Sequence, residues 1–320
     1  MPLIGNSNYR APSWLPGGHM QTIFPALFRR LPHVTTRRER LELADGDFID
    51  LEWAEQGRPR LAILCHGLEA DTRTDYIQGM AAALIRHGWD VLAWNFRGCG
   101  GSPNRMLRMY HSGATEDLHE VVSHALSRHP AKCVDLVGFS LGGNLVLKYL
   151  GERPAELPPQ IHRAVAFSVP CDLACSSRQL ARRSNWLYME RFLRKMRAKL
   201  RAKALMFPGQ LELAGLRRIR DFQEFDDCYT APIHGFRDAA DYWALNSCRQ
   251  FLPTIRLPTL LVNALNDPFL GPGCHPFEEA EASSCFYFEA PETGGHVGFS
   301  PSGGAGEYWA ETRAIEFLTI

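Results

Sequence analysis

The pentapeptide Gly138-Phe139-Ser140-Leu141-Gly142 sets a serine between two glycines, and Asp267 and His296 follow it in that order. A serine hydroxyl is a weak nucleophile until a base takes its proton, and an imidazole does this best when a carboxylate holds its other nitrogen. These residue types therefore point to acyl transfer, with Ser140 as nucleophile, His296 as general base and acid, and Asp267 as the orienting carboxylate. The negative charge that develops on the substrate needs donors aimed at it beforehand. The apolar run Arg60–Cys65 leads into His66-Gly67-Leu68-Glu69, an HG-type turn, and the backbone N–H groups of Leu68 and Leu141 are the expected oxyanion pair. Loss of one such donor costs about 100- to 1000-fold in turnover. His66 reads as a strand-end histidine that packs, because His296 already fills the imidazole role.

The elements around these residues suit that chemistry. Cys133–Val137 reads as a buried strand and Asn144–Leu150 as a helix, so Ser140 occupies a sharp strand-to-helix turn whose glycines, extended by Gly143, leave room for it. The helix N-terminus also faces the developing charge. Leu260–Ala264 is a short apolar strand, which puts Asp267 just past a strand's carboxyl end. Cys285–Glu289 reads as the next strand, with His296 in the glycine-rich loop beyond it. Asp172 follows the strand Ala164–Ser168 in the same way and is the rival candidate for the acid.

Further strands and helices alternate along the chain. Leu41–Leu43 and Phe48–Trp53, joined through Asp45-Gly46, read as a β-hairpin. The 61–65 strand is followed by a helix near 74–87, a strand at 90–95 and a helix near 114–129. Such alternation calls for a mostly parallel sheet with helices on both faces. Gly98-Cys99-Gly100-Gly101 is not a dinucleotide fingerprint, because Pro103 stands where a glycine or alanine is required.

The alternation stops between residues 171 and 250. From Arg178 to Lys203 there are ten Lys or Arg residues against one acid, Glu190. Leu187, Phe192 or Leu193, Met196 and Leu200 are read as one apolar stripe of an amphipathic basic helix. The expected organisation is a single domain, 1–320, with a helical cap inserted at 171–250. The cap helix is expected to pack its stripe on the core and keep its charges solvated, or alternatively to touch anionic lipid or steer an anionic ester. Trp186, Phe192 and Phe207 are candidates for an apolar acyl pocket.

Thirty-five basic and thirty-five acidic residues give a formal charge of zero, which argues against bulk attraction to nucleic acid. Met1–Arg10 lacks the apolar stretch of a signal peptide, and no apolar run approaches the length of a membrane span. Nine scattered cysteines without C-x-x-C spacing read as reduced thiols, so the expected location is cytoplasmic. Cys171 and Cys175 lack the partners that a metal site needs.

Four further stretches resemble one family: Trp14–Ile23, Asn95–Ser102, Tyr110–Gly113 and Thr230–Phe236. With Ser140, Asp267 and His296, they are similar to the YheT-like branch of the α/β-hydrolases, related to eukaryotic abhydrolase-domain lipases and plant EMB8-type proteins. The resemblance implies the α/β-hydrolase fold and carboxylic-ester hydrolysis, with Ser140, Asp267 and His296 at the family's charge-relay positions. The eukaryotic relatives usually carry an N-terminal membrane anchor, and this chain departs from them there. His19, His111 and His234 lie in the family-like stretches without chemistry visible in the sequence, and His111 and His234 are expected to brace loops around the pocket.

The expected function is thus a serine esterase or lipase-like enzyme acting through an acyl-enzyme on short- to medium-chain acyl esters or acylglycerols. It needs no metal or organic cofactor and no obligate protein partner, with transient membrane-surface contact through the basic cap as a further expectation. A thioesterase or acyltransferase on the same fold, or a binding protein that keeps the three residues, are the alternatives.

Overall fold

The computed structural model describes residues 2–29, 34–301 and 307–320. Its centre is a nine-stranded sheet: β1 (Leu3–Ile4), β2 (Arg37–Glu42), β3 (Phe48–Ala54), β4 (Arg60–Cys65), β5 (Asp90–Asn95), β6 (Cys133–Phe139), β7 (Ile161–Phe167), β8 (Thr259–Val262) and β9 (Phe286–Glu289). The spatial order is β1-β9-β8-β7-β6-β4-β5-β3-β2. Strands β1 to β5 in that order are parallel, and the β2–β3 hairpin closes one edge antiparallel.

Both faces of the central strands are covered, which is why they read as continuous apolar runs rather than alternating ones. The period of two survives in where the side chains go. Leu61, Ile63 and Cys65 of β4 enter one core with the helices α3 (Thr115–Arg128) and α4 (Leu141–Glu152). Ala62 and Leu64 enter the other, with α2 (Asp75–Arg86) and a C-terminal helix, Trp309–Thr319. That last helix, β1, and the helix α1 (Gly17–Phe28) were not anticipated from hydrophobic periodicity. The connection from β4 runs to β5 on one side, whereas that from its other neighbour, β6, runs to β7 on the opposite side. The crevice at their carboxyl ends is where an open α/β sheet offers a binding site.

Helices fill the stretch between β7 and β8 and build a third core of their own. Among them are α5 (Leu173–Leu180) and the 21-residue α6 (Trp186–Met206). The buried face of α6 is Met189, Leu193, Leu200 and Lys203, and Leu187 is 61% exposed. Leu187 therefore does not belong to the stripe expected for it. At 3.6 residues per turn it sits about 120° around the helix from Leu193.

The charges of α6 are not all solvated either. Lys195 donates to the carbonyl of Glu69 at 2.7 Å, Lys199 to the Glu69 carboxylate at 2.8 Å, and Lys203 to the carbonyls of Asn104 (2.6 Å) and Met106. Spaced four residues apart, these lysines share one helix face. The first two pin α6 to the turn that carries Leu68, and Lys203 pins it to the loop at Asn104–Met106. Burial lowers the Lys203 pKa to about 8.

Candidate active site

Ser140 occupies the turn between β6 and α4 with φ 53° and ψ −120°, a conformation that costs a non-glycine residue energy and recurs at reactive sites. The surrounding packing enforces it. The Ser140 N–H donates to the carbonyl of Phe167 at 2.8 Å, and a Cβ on Gly142 would collide with the carbonyl oxygens of Cys65 and His66. Only glycine lets α4 start this close to β4.

The structure brings Ser140, His296 and Asp267 together. Ser140 Oγ lies 3.0 Å from His296 Nε2, and His296 Nδ1 lies 2.8 Å from Asp267 Oδ2. The carboxylate's other oxygen accepts the Phe269 N–H at 2.8 Å, and the Phe269 ring stacks on the imidazole with centroids 4.1 Å apart. Asp267 is buried. Asp172, the rival acid, instead caps α5, accepting the Cys175 N–H at 2.9 Å.

Leu68 and Leu141 line the same cavity as Ser140 and His296. Leu141 is the first residue of α4, so its N–H lacks an intrahelical acceptor. The turn bearing Leu68 is held from behind by His66, which is wholly buried. The Phe96 N–H donates to His66 Nε2 at 3.1 Å, so the proton sits on Nδ1 and is donated to the Gly67 carbonyl at 2.8 Å. Burial drives this imidazole's pKa down to about 3, which keeps it neutral and its two bonds intact. His66 is thus more than packing, since it fixes the turn's backbone.

Sequence reading gave no chemical role to the first motif, Trp14–Ile23. The structure places its helix α1 against both the His296 and the Asp267 loops. Thr22 Oγ1 accepts the His296 N–H at 2.9 Å and donates to the Gly18 carbonyl at 2.7 Å. Gln21 Oε1 accepts from the Gly294 N–H and from the Asn266 amide, both at 2.9 Å. A Cβ at Gly18 would strike the Asn266 carbonyl. The sequence signal was the stretch's family resemblance, which carried no indication of which side chains do the bracing.

Replacing Thr22 by valine removes a donor and an acceptor at nearly constant volume. The expected result is a fall in kcat on the order of 10- to 100-fold, as sub-ångström errors in placing a catalytic group produce, with KM moving far less. Steady-state kinetics on a soluble ester, beside a thermal melt, checks it.

His234 bridges loops, with Nδ1 2.8 Å from the Thr230 carbonyl and Nε2 3.0 Å from that of Met109, and its ring is 4.7 Å from that of His111. His19 stacks on Tyr188 of α6. All three histidines of the family-like stretches link segments around the site.

Two cavities adjoin at Ser140 and His296, the second the larger. The first runs under the inserted helices and is walled mainly by apolar side chains, among them Leu173, Leu180, Phe192, Met196 and Phe222. The second lies between α1 and α6, with Ile23, Leu27, Tyr188 and Arg191 on its walls.

A parallel sheet, a strained serine between β6 and α4, and a carboxylate and histidine on later strand-end loops define an α/β-hydrolase-fold protein. The family model described as the alpha/beta hydrolase fold matches residues 62–300. The chain is 38% identical to YheT of Escherichia coli, over 94% of this chain and 90% of that one. It is 29% identical to phospholipase ABHD3 of Mus musculus, over 92% of this chain and 74% of the relative. It is 28% identical to a monoacylglycerol lipase of Saccharomyces cerevisiae, over 83% and 60%. Among solved structures, the Pyrococcus furiosus esterase Pf2001 superposes with a TM-score of 0.59 at 18% identity, covering 89% of this chain and 92% of that one, a likeness of fold. The chain belongs to the YheT-like branch of the α/β-hydrolase family.

Proposed function

We propose that this esterase-type α/β-hydrolase cleaves carboxylic esters through an acyl-enzyme on Ser140, acting on short- to medium-chain acyl esters or acylglycerols. His296 Nε2 takes the Ser140 proton as Oγ attacks the ester carbonyl carbon. The Leu68 and Leu141 N–H groups receive the oxyanion, and Asp267 holds the imidazole's Nδ1 proton and stabilises its charged form. The carbon–oxygen bond to the alcohol then breaks, and His296 returns the proton to the departing oxygen. Water, deprotonated by the same nitrogen, attacks the acyl carbon and frees the acid and Ser140.

The observation that carries this reading is the continuous serine, histidine and aspartate chain of hydrogen bonds at the junction of two cavities. The apolar cavity suits an acyl chain, and the wider one suits the alcohol and incoming water. The inserted helices between β7 and β8 act in this reading as the cap that roofs the acyl cavity. Hydrolysis of p-nitrophenyl esters from acetyl to palmitoyl tests it, beside labelling by a fluorophosphonate probe. Absence of both turnover and labelling in folded protein would overturn the proposal.

Among the described residues no helix is long and apolar enough to cross a membrane. The nine scattered cysteines support a cytoplasmic setting as part of the proposal. Transient contact with a lipid surface has support at the mouth of the second cavity. From Gly17 to Phe28, α1 has no Lys, Arg, Asp or Glu, yet Leu27 is 65% and Phe28 63% exposed. Across the cavity, α6 exposes Trp186 and Leu187 near Arg183, Arg191 and Arg194. Exposed apolar side chains with arginines close by in the sequence suit an anionic interface. The protein should float with phosphatidylglycerol vesicles and lose that association on Phe28→Asp or Leu187→Asp. Recovery of the wild type in the unbound fraction would exclude the contact.

A further inference from the structure

The wall of the acyl cavity is apolar over most of its extent, but one stretch departs from it. The helix Phe222–Phe225 passes into a single π-helical turn, Asp226–Thr230, before the short helix Ala231–His234. A π turn widens the helix and shifts side chains out of α-helical register, and such turns are frequent at functional sites. Here Phe222, Phe225, Asp226 and Thr230 all line the cavity that reaches Ser140.

Asp226 is buried. One carboxyl oxygen accepts from the Thr230 hydroxyl at 2.6 Å and the other from the Trp243 indole N–H at 2.8 Å. Both donors are neutral, so the two bonds tie the carboxyl down without cancelling a charge, and each oxygen keeps further accepting capacity. Burial, reinforced by Asp227 and Asp221, pushes its pKa up to about 7. Near neutrality the group is thus part carboxylate and part carboxylic acid, able to accept a hydrogen bond or to donate one. A polar group held like this in an apolar wall is costly to bury. A tie between the π turn and Trp243 accounts for the two bonds, but not for a carboxyl set at the cavity wall.

We propose that Asp226 recognises a hydroxyl group carried on the acyl chain, so that the preferred substrates are hydroxyacyl esters. The inference rests on the reading above, that this cavity receives the acyl part of an ester attacked by Ser140. A hydroxyl both donates and accepts, and it enters an apolar cavity far more cheaply than a charged ammonium. A pocket that hydrogen-bonds a hydroxyl discriminates against the analogue that lacks it, here through the accepting or donating capacity that Asp226 keeps beyond its bonds from Thr230 and Trp243.

The experiment compares p-nitrophenyl esters of saturated acids of six to twelve carbons with their ω-hydroxy and ω-amino counterparts, in wild type, Asp226→Asn and Asp226→Leu. The quantity read is the ratio of kcat/KM for hydroxy over plain ester within each protein, so general damage to a variant cancels. The expected ratio in wild type is about 10 or more at one chain length, falling to about 1 or below in Asp226→Leu, with Asp226→Asn between. A wild-type ratio near 1 at every length overturns the proposal, as does a ratio that survives in both variants or a preference for the ω-amino esters. Plain esters turned over by Ser140 without a hydroxyl preference would leave the esterase reading standing and remove only this one. Calorimetric binding of the corresponding ethyl esters to Ser140→Ala protein asks the same question without turnover, and equal affinities for plain and hydroxy esters again overturn it.

Discussion

Ser140→Ala is expected to reduce ester turnover by about 10⁴-fold or more while leaving the melting temperature within a few degrees of wild type. The size follows from what is removed. Without Oγ no acyl-enzyme forms, and only the residual acceleration from oriented amides and substrate binding remains, as nucleophile deletions in serine hydrolases show. Folding should be spared, because the Ser140 side chain's bond is to His296, whereas its backbone is fixed by the Phe167 carbonyl and by the start of α4. Alanine also bears the same strain as serine at φ 53°, so the turn gains no reason to relax. Initial rates on a p-nitrophenyl ester and a parallel melt decide the matter. An alanine variant at wild-type rate would remove Ser140 from the chemistry.

Asp267→Asn should cost nearly as much, about 10⁴-fold in kcat. An asparagine can turn an N–H₂ toward His296 Nδ1, which places the imidazole proton on Nε2 and leaves nothing to accept from Ser140. The replacement is close in size, and the Phe269 N–H that Asp267 now receives at 2.8 Å can still be accepted by the amide oxygen, so the loop should hold. Asp172→Asn is the control. Asparagine caps a helix as well as aspartate does, and Asp172 bonds the first turn of α5, so turnover should stay within a few-fold of wild type. The opposite pattern, with Asp172→Asn inactive and Asp267→Asn active, would move the acid to the earlier strand.

The candidate reacting groups were legible because chemistry restricts them to a few residue types and the fold restricts their order. Ser140, Asp267 and His296 each stand just past an apolar strand, and strands of this sheet are easy to find when both their faces are buried. What escaped was support of a kind that leaves no periodic trace. Thr22 and Gln21 act through single hydrogen bonds to loops more than 240 residues away. His66 looked idle because a second imidazole had already claimed the catalytic role. From Arg178 to Lys203 the count of ten basic residues against one acid was correct as composition but misleading as geometry, since Lys195, Lys199 and Lys203 of α6 bond Glu69 and the Asn104–Met106 loop instead of standing free on a solvated face. Leu187 was assigned by its apolarity, whereas the helical phase set by Met189, Leu193 and Leu200 turns it outward. Trp309–Thr319 was missed although it covers one face of the sheet.

The brace between α1 and the histidine loop also joins distant parts of the chain. Gln21 meets Gly294 across 273 positions of chain, and β1 finds its place only beside β9, where Leu3 pairs with Phe288. Residues 3–22 therefore dock on partners that follow them by more than 240 positions. On the proposed roles, a chain truncated before residue 294 keeps the serine's turn but lacks the imidazole and the loop that Gln21 holds, and it is expected to show no esterase activity.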